Sequence, residues 1–284
     1  MIRKVEYQGI PNCIQISNSD ATLIISTEVG SRVLFYGYDE GENVLGWHPH
    51  AAVETGLGTW KPYGGHRLWV APENMPLSYA PDNDPIDYEP LGELSAVFRS
   101  SAGKGYPVDK EVTISLAATG TSATIGHRLT SRGDSEIEIA SWALTIMRPG
   151  GTVIVPNEPL VGYGPENLLP VRSMALWPYT DFTDPRWSFE KDHIRLRVDQ
   201  SIQGPQKFGV LNKQGWAAYE WNSLRFVKRS EYIGGSVYPD MNSNFEFYTD
   251  GGFVEIETLS PLRSLSRGES VEHKETWELG PSSS

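Results

Sequence analysis

Alternation of apolar and polar residues recurs along this chain from Cys13 to Leu279, and no stretch carries the apolar stripe of a capped helix. A period of two sends successive side chains to opposite faces, so each such run predicts a strand. The clearest runs are 13–17, 21–26 (ATLIIS), 32–38 (RVLFYGY), 94–99, 110–116 and 122–131. Further runs follow at 136–139, 194–198, 216–221, 245–248, 253–258 and 270–279. Turn residues separate many of them at hairpin spacing, as in 28–31, 132–134, 249–252 and 266–268. So many antiparallel strands outgrow one open sheet. The expectation is all-β: a large antiparallel β-sandwich with very little helix, one domain over residues 1–284, its tail from Gly280 frayed.

Composition narrows the function. Hydrophobic residues make up 39%, enough for a large core, and 28 Gly and 20 Pro suit short strands joined by tight turns. Nine Trp and 13 Tyr are a surplus of flat rings, which raises the prospect of a ring-shaped ligand such as a sugar. A net charge of −12 argues against nucleic acid and against anionic membrane surfaces. The densest basic run, 225–229, holds only three basic residues. Cys13 is alone and reads as a buried strand thiol. The opening MIRKVEYQGIPN lacks the apolar stretch of a signal peptide, and no window reaches the roughly 20 apolar residues of a membrane span. Cytoplasmic is the expectation. Oligomeric state is not legible.

Two loop-rich segments interrupt the strand rhythm, about 40–90 and 156–185, and long loops on a β scaffold commonly carry binding chemistry. The first holds Trp47, His48, His50, Trp60, Lys61, His66, Arg67, Trp69 and Glu73. Gly64-Gly65 permits a sharp turn and a close approach. His66 can move a proton near neutral pH, Arg67 offers a donor fork, and Trp69 an apolar face for a pyranose. Alternation sends His66, Leu68 and Val70 to one face and Arg67, Trp69 and Ala71 to the other. Aiming His66 and Arg67 at one ligand therefore needs a twist or bulge after the glycines. With Trp69 in the core and Arg67 in a salt bridge, the segment would be purely structural.

The second stretch joins Asn244, Glu246 and Tyr248 to Glu255 and Glu257 through a turn at 250–252. Carboxylates between large apolar residues are candidates for a raised pKa, although a solvated sheet face gives the same pattern. His127, His193 and His273 read as structural or surface residues, and His48-Pro49-His50 lacks a third ligand. No phosphate loop, dinucleotide fingerprint or G-x-S-x-G occurs, so neither cofactor nor metal is expected.

Several motifs carry a resemblance. They are G-G-H-R-L-W-x-A-P-E at 64–73, H-R-L-T-x-R-G-D-S at 127–135, W-A-L-T at 142–145 and N-F-E at 244–246. E-T-L-x-P-L at 257–262 and V-E-H-x-E-T-W-E-L at 271–279 complete the set. In this order the chain resembles an uncharacterised bacterial branch of the galactose mutarotase-like superfamily, related to the aldose 1-epimerases. That resemblance implies a sugar ligand, a late-strand carboxylate as base and a histidine as acid. By the same resemblance Glu257 is the candidate base, His66 the candidate acid and Arg67 a sugar-hydroxyl donor. Trp69, Lys61, Glu73, Asn244 and Glu246 complete the expected sugar-binding set. The epimerases' mid-chain histidine is missing, since 140–144 reads ASWAL.

Three functions stay open on the sequence. The first is proton transfer on a free sugar, with Glu257 and His66 acting together. The second is a non-catalytic sugar-binding or sensing domain. The third is a sugar lyase or hydrolase, with Glu73 or Glu246 as second carboxylate.

Overall fold

A computed structural model describes residues 1–282. Two large antiparallel sheets face each other across a shared core. The eleven-stranded first sheet begins Ile2–Tyr7, Ile10–Ser17, Ala21–Ser26, Arg32–Tyr38 and His66–Ala71. It continues Ile137–Met147, Val254–Leu259, Phe245–Thr249, Gln206–Val210 and Met174–Leu176, with Arg263–Leu265 paired to one end of Ile137–Met147. The ten-stranded second sheet runs Asp87–Gly92, Ser95–Ser100, Val108–Leu116, Ala123–Ser131 and Ser270–Pro281. Leu224–Arg229, Trp216–Trp221, Thr152–Pro156, His193–Arg197 and Trp187–Phe189 complete it. Among the described residues only Pro239–Asn242 is assigned to helix, and none is long and apolar enough to cross a membrane.

The all-β expectation holds, and strands 21–26, 32–38 and 216–221 stand where the alternation puts them. Cys13 is a fully buried thiol. The tail stays in strand to Pro281, and 283–284 lie outside the described residues. Several strands escaped the pattern, Ile2–Tyr7 and Asp87–Gly92 among them, and for two the physical reason is plain. Thr152–Pro156 and Gln206–Val210 lie inside their sheets and are covered on both faces, so neither alternates.

Register decides what faces where, because residues opposite one another in a ladder share a face. Leu68, Val70, Ile256, Phe245 and Phe247 point into the core between the sheets. Their odd-numbered or even-numbered neighbours point the other way. Strand His66–Ala71 meets Arg32–Tyr38 at one pair only, Val33↔His66. Just before it, Gly65 has φ +67°, and a methyl group there would lie 2.0 Å from Val33 O. Glycine is what lets these two backbones touch.

Between the sheets the core is not wholly apolar. His66 Nδ1 lies 2.9 Å from Thr145 Oγ1, and His66 Nε2 lies 2.8 Å from His127 Nε2. The Lys228 ammonium donates to Thr145 Oγ1 (2.9 Å), Ala143 O (3.0 Å) and Ile256 O (2.9 Å), and pairs with Glu275 at 2.8 Å. Glu275 also accepts from Trp277 Nε1 (2.9 Å) and from the Thr258 hydroxyl. The bonds fit one direction throughout. Thr145 receives from Lys228 and gives to His66, which gives through Nε2 to His127, which gives through Nδ1 to His273 O at 3.3 Å. Each ring nitrogen of His66 and His127, with Thr145 and Lys228, is thereby paired, as a low-dielectric interior demands.

That network makes stability depend on pH. Burial holds His127 down to about 4, against the pull of Glu275, whereas an unfolded histidine titrates near ~6.5. Between those values the unfolded chain binds a proton that the folded chain refuses, so stability falls as pH drops through that window. At roughly 1.4 kcal/mol per unit of displacement, His127 accounts for a loss on the order of 2–3 kcal/mol. Urea titrations at two pH values, about 7 and 4.5, check this: His127→Gln should lose less stability over the interval than the native chain.

Candidate functional site

The outer face of the first sheet carries chemistry at five adjacent strands: His66–Ala71, Ile137–Met147, Val254–Leu259, Phe245–Thr249 and Gln206–Val210. One row across them reads Arg67, Leu144, Glu257, Glu246 and Gly209. A second reads Trp69, Trp142 and Leu259, and a third Ile146, Glu255, Tyr248 and Lys207. Loops close over these rows and leave a cavity of about 640 Å³. Its wall includes Trp60, Trp69, Tyr79, Trp142, Trp177, Tyr179, Tyr248 and Phe253, with Arg67, Lys207, Glu73 and Glu255 as the charged groups. Both loop-rich segments contribute, the first with Trp60, Glu73 and Tyr79 and the second with Trp177 and Tyr179.

The aromatic rings brace one another. Trp69 meets Trp60, Tyr79 and Trp142 edge to face at 5.2, 4.9 and 5.4 Å between ring centres. Edge-to-face pairs are worth about 0.5–1.5 kcal/mol each beyond burial, so the wall is stiff before a ligand arrives. Arg67 lies over Trp69 at 4.6 Å and Trp60 at 5.3 Å, and its Nη2 donates to Glu255 at 2.9 Å. Lys207 lies near the rings of Trp142 (4.8 Å) and Trp177 (4.6 Å), and its ammonium grips two carboxylates. Glu246 Oε2 is 2.9 Å away and Glu257 Oε2 is 3.4 Å away.

Two buried carboxylates against one ammonium leave an excess negative charge, and the group relieves it by holding a proton. Burial raises Glu246 well above the ordinary carboxylate range, although Lys207 opposes it. Burial likewise pushes Glu257 up to about 7, against Lys207 and the Trp142 N–H, with Glu255 adding to the rise. Trp142 Nε1 donates to Glu257 Oε2 at 2.7 Å, while Glu257 Oε1 has no hydrogen-bond partner. Burial would lower the Lys207 pKa, but Glu257 and Glu246 overcome it and hold the lysine charged. A carboxyl poised near neutrality beside a fixed cation can exchange a proton at physiological pH.

The structure brings some expected residues together and separates others. Arg67, Trp69 and Glu73 are in the cavity wall, Glu73 accepting the Tyr79 hydroxyl at 2.5 Å. Glu257 and Glu246 lie just behind it, through Trp142 and Lys207. Both are fully buried, which corrects the picture of a solvated sheet face. The pairing of His66 with Glu257 is also corrected. No bulge redirects His66, so strict alternation sends it into the core while Glu257 faces outward, and one ligand cannot touch both. Asn244 is spent on structure, clasping Asn212 by two bonds of 2.7 and 3.0 Å. Lys61 contributes its backbone carbonyl, which accepts from Arg32 at 3.2 Å, and its side chain is outside the cavity wall.

The sequence reading missed Lys207, Trp142 and Trp177 as site residues. Only the lysine left a signal, a charge inside an otherwise apolar run at 207–210. It also missed that His66, His127 and Glu275 converge, their polar atoms within 4.8 Å of one another. A cation there would have to displace Lys228 from Glu275 and break the histidine chain, so the trio is built for protons rather than for a metal.

No family model and no curated sequence matches the chain. Solved structures do. A galactose 1-epimerase from Lactobacillus acidophilus NCFM superposes with a TM-score of 0.54 at 13% identity, over 99% of this chain and 98% of that one. A galactose mutarotase-like protein from Clostridium acetobutylicum gives 0.54 at 12% identity, over 99% of both chains. This chain has the galactose mutarotase-like fold. A TPR-domain containing protein from Parabacteroides distasonis ATCC 8503 gives 0.63 at 17% identity over 94% of this chain, which spans only 46% of that longer protein. At such identities the likeness is one of fold, and the chemistry rests on this chain's own residues.

Trp142 tunes Glu257 by donating to its charged form. Trp142→Phe keeps the ring and removes the donor, so the Glu257 pKa should rise further above about 7. A carbon NMR titration of the side-chain carboxyl reads this directly. An unchanged or lowered value would mean the indole N–H does not control this group.

Proposed function

We propose that the protein binds a pyranose in the aromatic cavity and interconverts its anomers by proton transfer at Glu257. The observation that carries this is the carboxyl itself, raised to about 7, steered on one oxygen and unpartnered on the other. Aromatic faces suit the apolar face of a sugar ring, and Arg67 and Lys207 suit its hydroxyl rim. In the forward step Glu257 takes the proton from the anomeric hydroxyl as the carbonyl forms and the bond to the ring oxygen breaks. The ring oxygen takes a proton from Lys207, 3.4 Å from Glu257, and gives it back when the ring recloses. Rotation of the open-chain aldehyde and reversal of the same transfers give the other anomer, with no net change in protons.

Lys207 thus fills the acid role that the resemblance assigned to a histidine. Lys207 also stands in the wall, where Glu257 does not, so a ligand meets the ammonium first. That same cover over Glu257 favours a second reading, a sugar-binding module without catalysis. The hydrolase reading with Glu246 as second carboxylate is disfavoured because Glu246 and Glu257 share one ammonium and so stand on one side of a ligand rather than flanking it.

Glu257→Gln should abolish the acceleration of mutarotation measured by polarimetry, a loss of about 10²–10⁴, while sugar affinity stays nearly intact. A base must be deprotonated to act, so in the native protein kcat/KM should climb as pH rises through about 7. Sugar binding with no acceleration of any sugar's mutarotation would leave the binding-module reading in its place.

A further inference from the structure

Residues 158–171 lead from the end of Thr152–Pro156, in the second sheet, towards Met174–Leu176 at the edge of the first. The loop is clasped at its base. Arg172 donates to Asn157 Oδ1 and Pro156 O, and Asn157 Nδ2 donates to Glu190 O at 2.8 Å and Lys191 O at 3.1 Å. A long loop with its ends held together ordinarily packs on its own side chains. This one turns them outward. Leu160, Val161, Tyr163, Leu168, Leu169 and Val171 are all more than half exposed, Tyr163 at 96%.

The clasp sets this loop beside the free edges of both sheets. Met174–Leu176 ends the first sheet, and Trp187–Phe189, just before the turn that Asn157 holds, ends the second. Leu176, Phe182 and Phe189 are exposed there, Phe182 and Phe189 edge to face at 5.5 Å. Together these nine side chains expose roughly 1,000 Å², against roughly 300–600 Å² for the largest apolar patch on an ordinary monomer and roughly 800 Å² per partner for a standard interface. The area is enough for a stable dimer, and burying it is favourable.

We propose that a second copy of this chain covers this end of the sandwich, the loop of each copy lying across the sheet edges of the other about a two-fold axis. A two-fold interface has to be complementary to itself. This surface offers that, since it holds a projecting apolar arm and, beside the base of the arm, bare apolar edges that can receive one. An anionic lipid surface suits it less. Glu166, Asp181, Glu190 and Asp192 are exposed among the apolar residues, where they fit the polar rim of a protein interface, and the chain carries a net charge of −12. The same segment runs on through Leu176 into Trp177 and Tyr179 of the aromatic cavity, so interface and cavity rim share one stretch of chain.

Sedimentation velocity from micromolar to sub-millimolar chain tests this. The native protein should reach twice 31.6 kDa. Val161→Glu combined with Leu169→Glu should raise the dissociation constant at least about a hundred-fold, because each places a charge in an apolar contact. Both side chains are exposed in the single chain, so the far-UV circular dichroism of the variant should match the native spectrum. Leu91→Glu, on the outer strand Asp87–Gly92 at the opposite edge of the second sheet, should leave the dimer intact. In the native chain, amide exchange over residues 158–176 should slow as concentration rises, a reading that needs no substitution. A monomer at every concentration overturns the proposal, as does a dimer that the loop substitutions leave intact or that Leu91→Glu dissociates. A monomer that floats with phosphatidylcholine vesicles overturns it in favour of a membrane-facing surface.

Discussion

A strand has only two directions in which to send its side chains, and in the first sheet both lead to buried places. Strands His66–Ala71 and Val254–Leu259 are buried at every position, against the second sheet on one side and against the aromatic cavity on the other. Each polar residue on them must then find a partner, because an unpaired polar group in such surroundings is costly. The two faces meet that demand differently. The inner face uses His66, Thr145 and Thr258 in a closed chain with the second sheet. The outer face leaves Glu257 Oε1 and two nitrogens of Arg67 open.

The contrast between the two Lys-centred groups illustrates how context sets charge. Lys228 meets a single carboxylate, Glu275, which the ammonium and the neighbouring histidines hold far down despite its burial. Lys207 meets two, and the carboxylates are driven up instead. The first arrangement is saturated and structural. The second has one carboxyl too many, which makes it able to take and release a proton near neutrality.

Stiffness of the wall supports the same division of labour. Trp60, Trp69, Tyr79 and Trp142 hold each other edge to face, and Arg67 and Lys207 lie close to indole rings. Cations over indoles keep their charge in a dry setting while their positions are fixed by packing. A ligand entering such a cavity pays little to order it.

The sequence by itself determined the fold class, because period-two alternation admits only strands and so many strands admit only packed sheets. It also singled out Arg67, Trp69, Glu73 and Glu257, by residue type or by resemblance, and these lie in or just behind one cavity wall. Alternation even stated that His66 and Arg67 face opposite ways, and it was right; the bulge needed to unite them does not form. Tertiary structure alone decided which face became core and which became cavity. It also chose the partners: Lys207 reaches Glu257 from a strand 50 residues away, and His66 reaches His127 across 61. Such meetings depend on strand order and register between distant segments, which local periodicity does not encode. A carboxylate in an alternating run reads the same whether water or an indole covers it, and only the packed sheets settled that for Glu257.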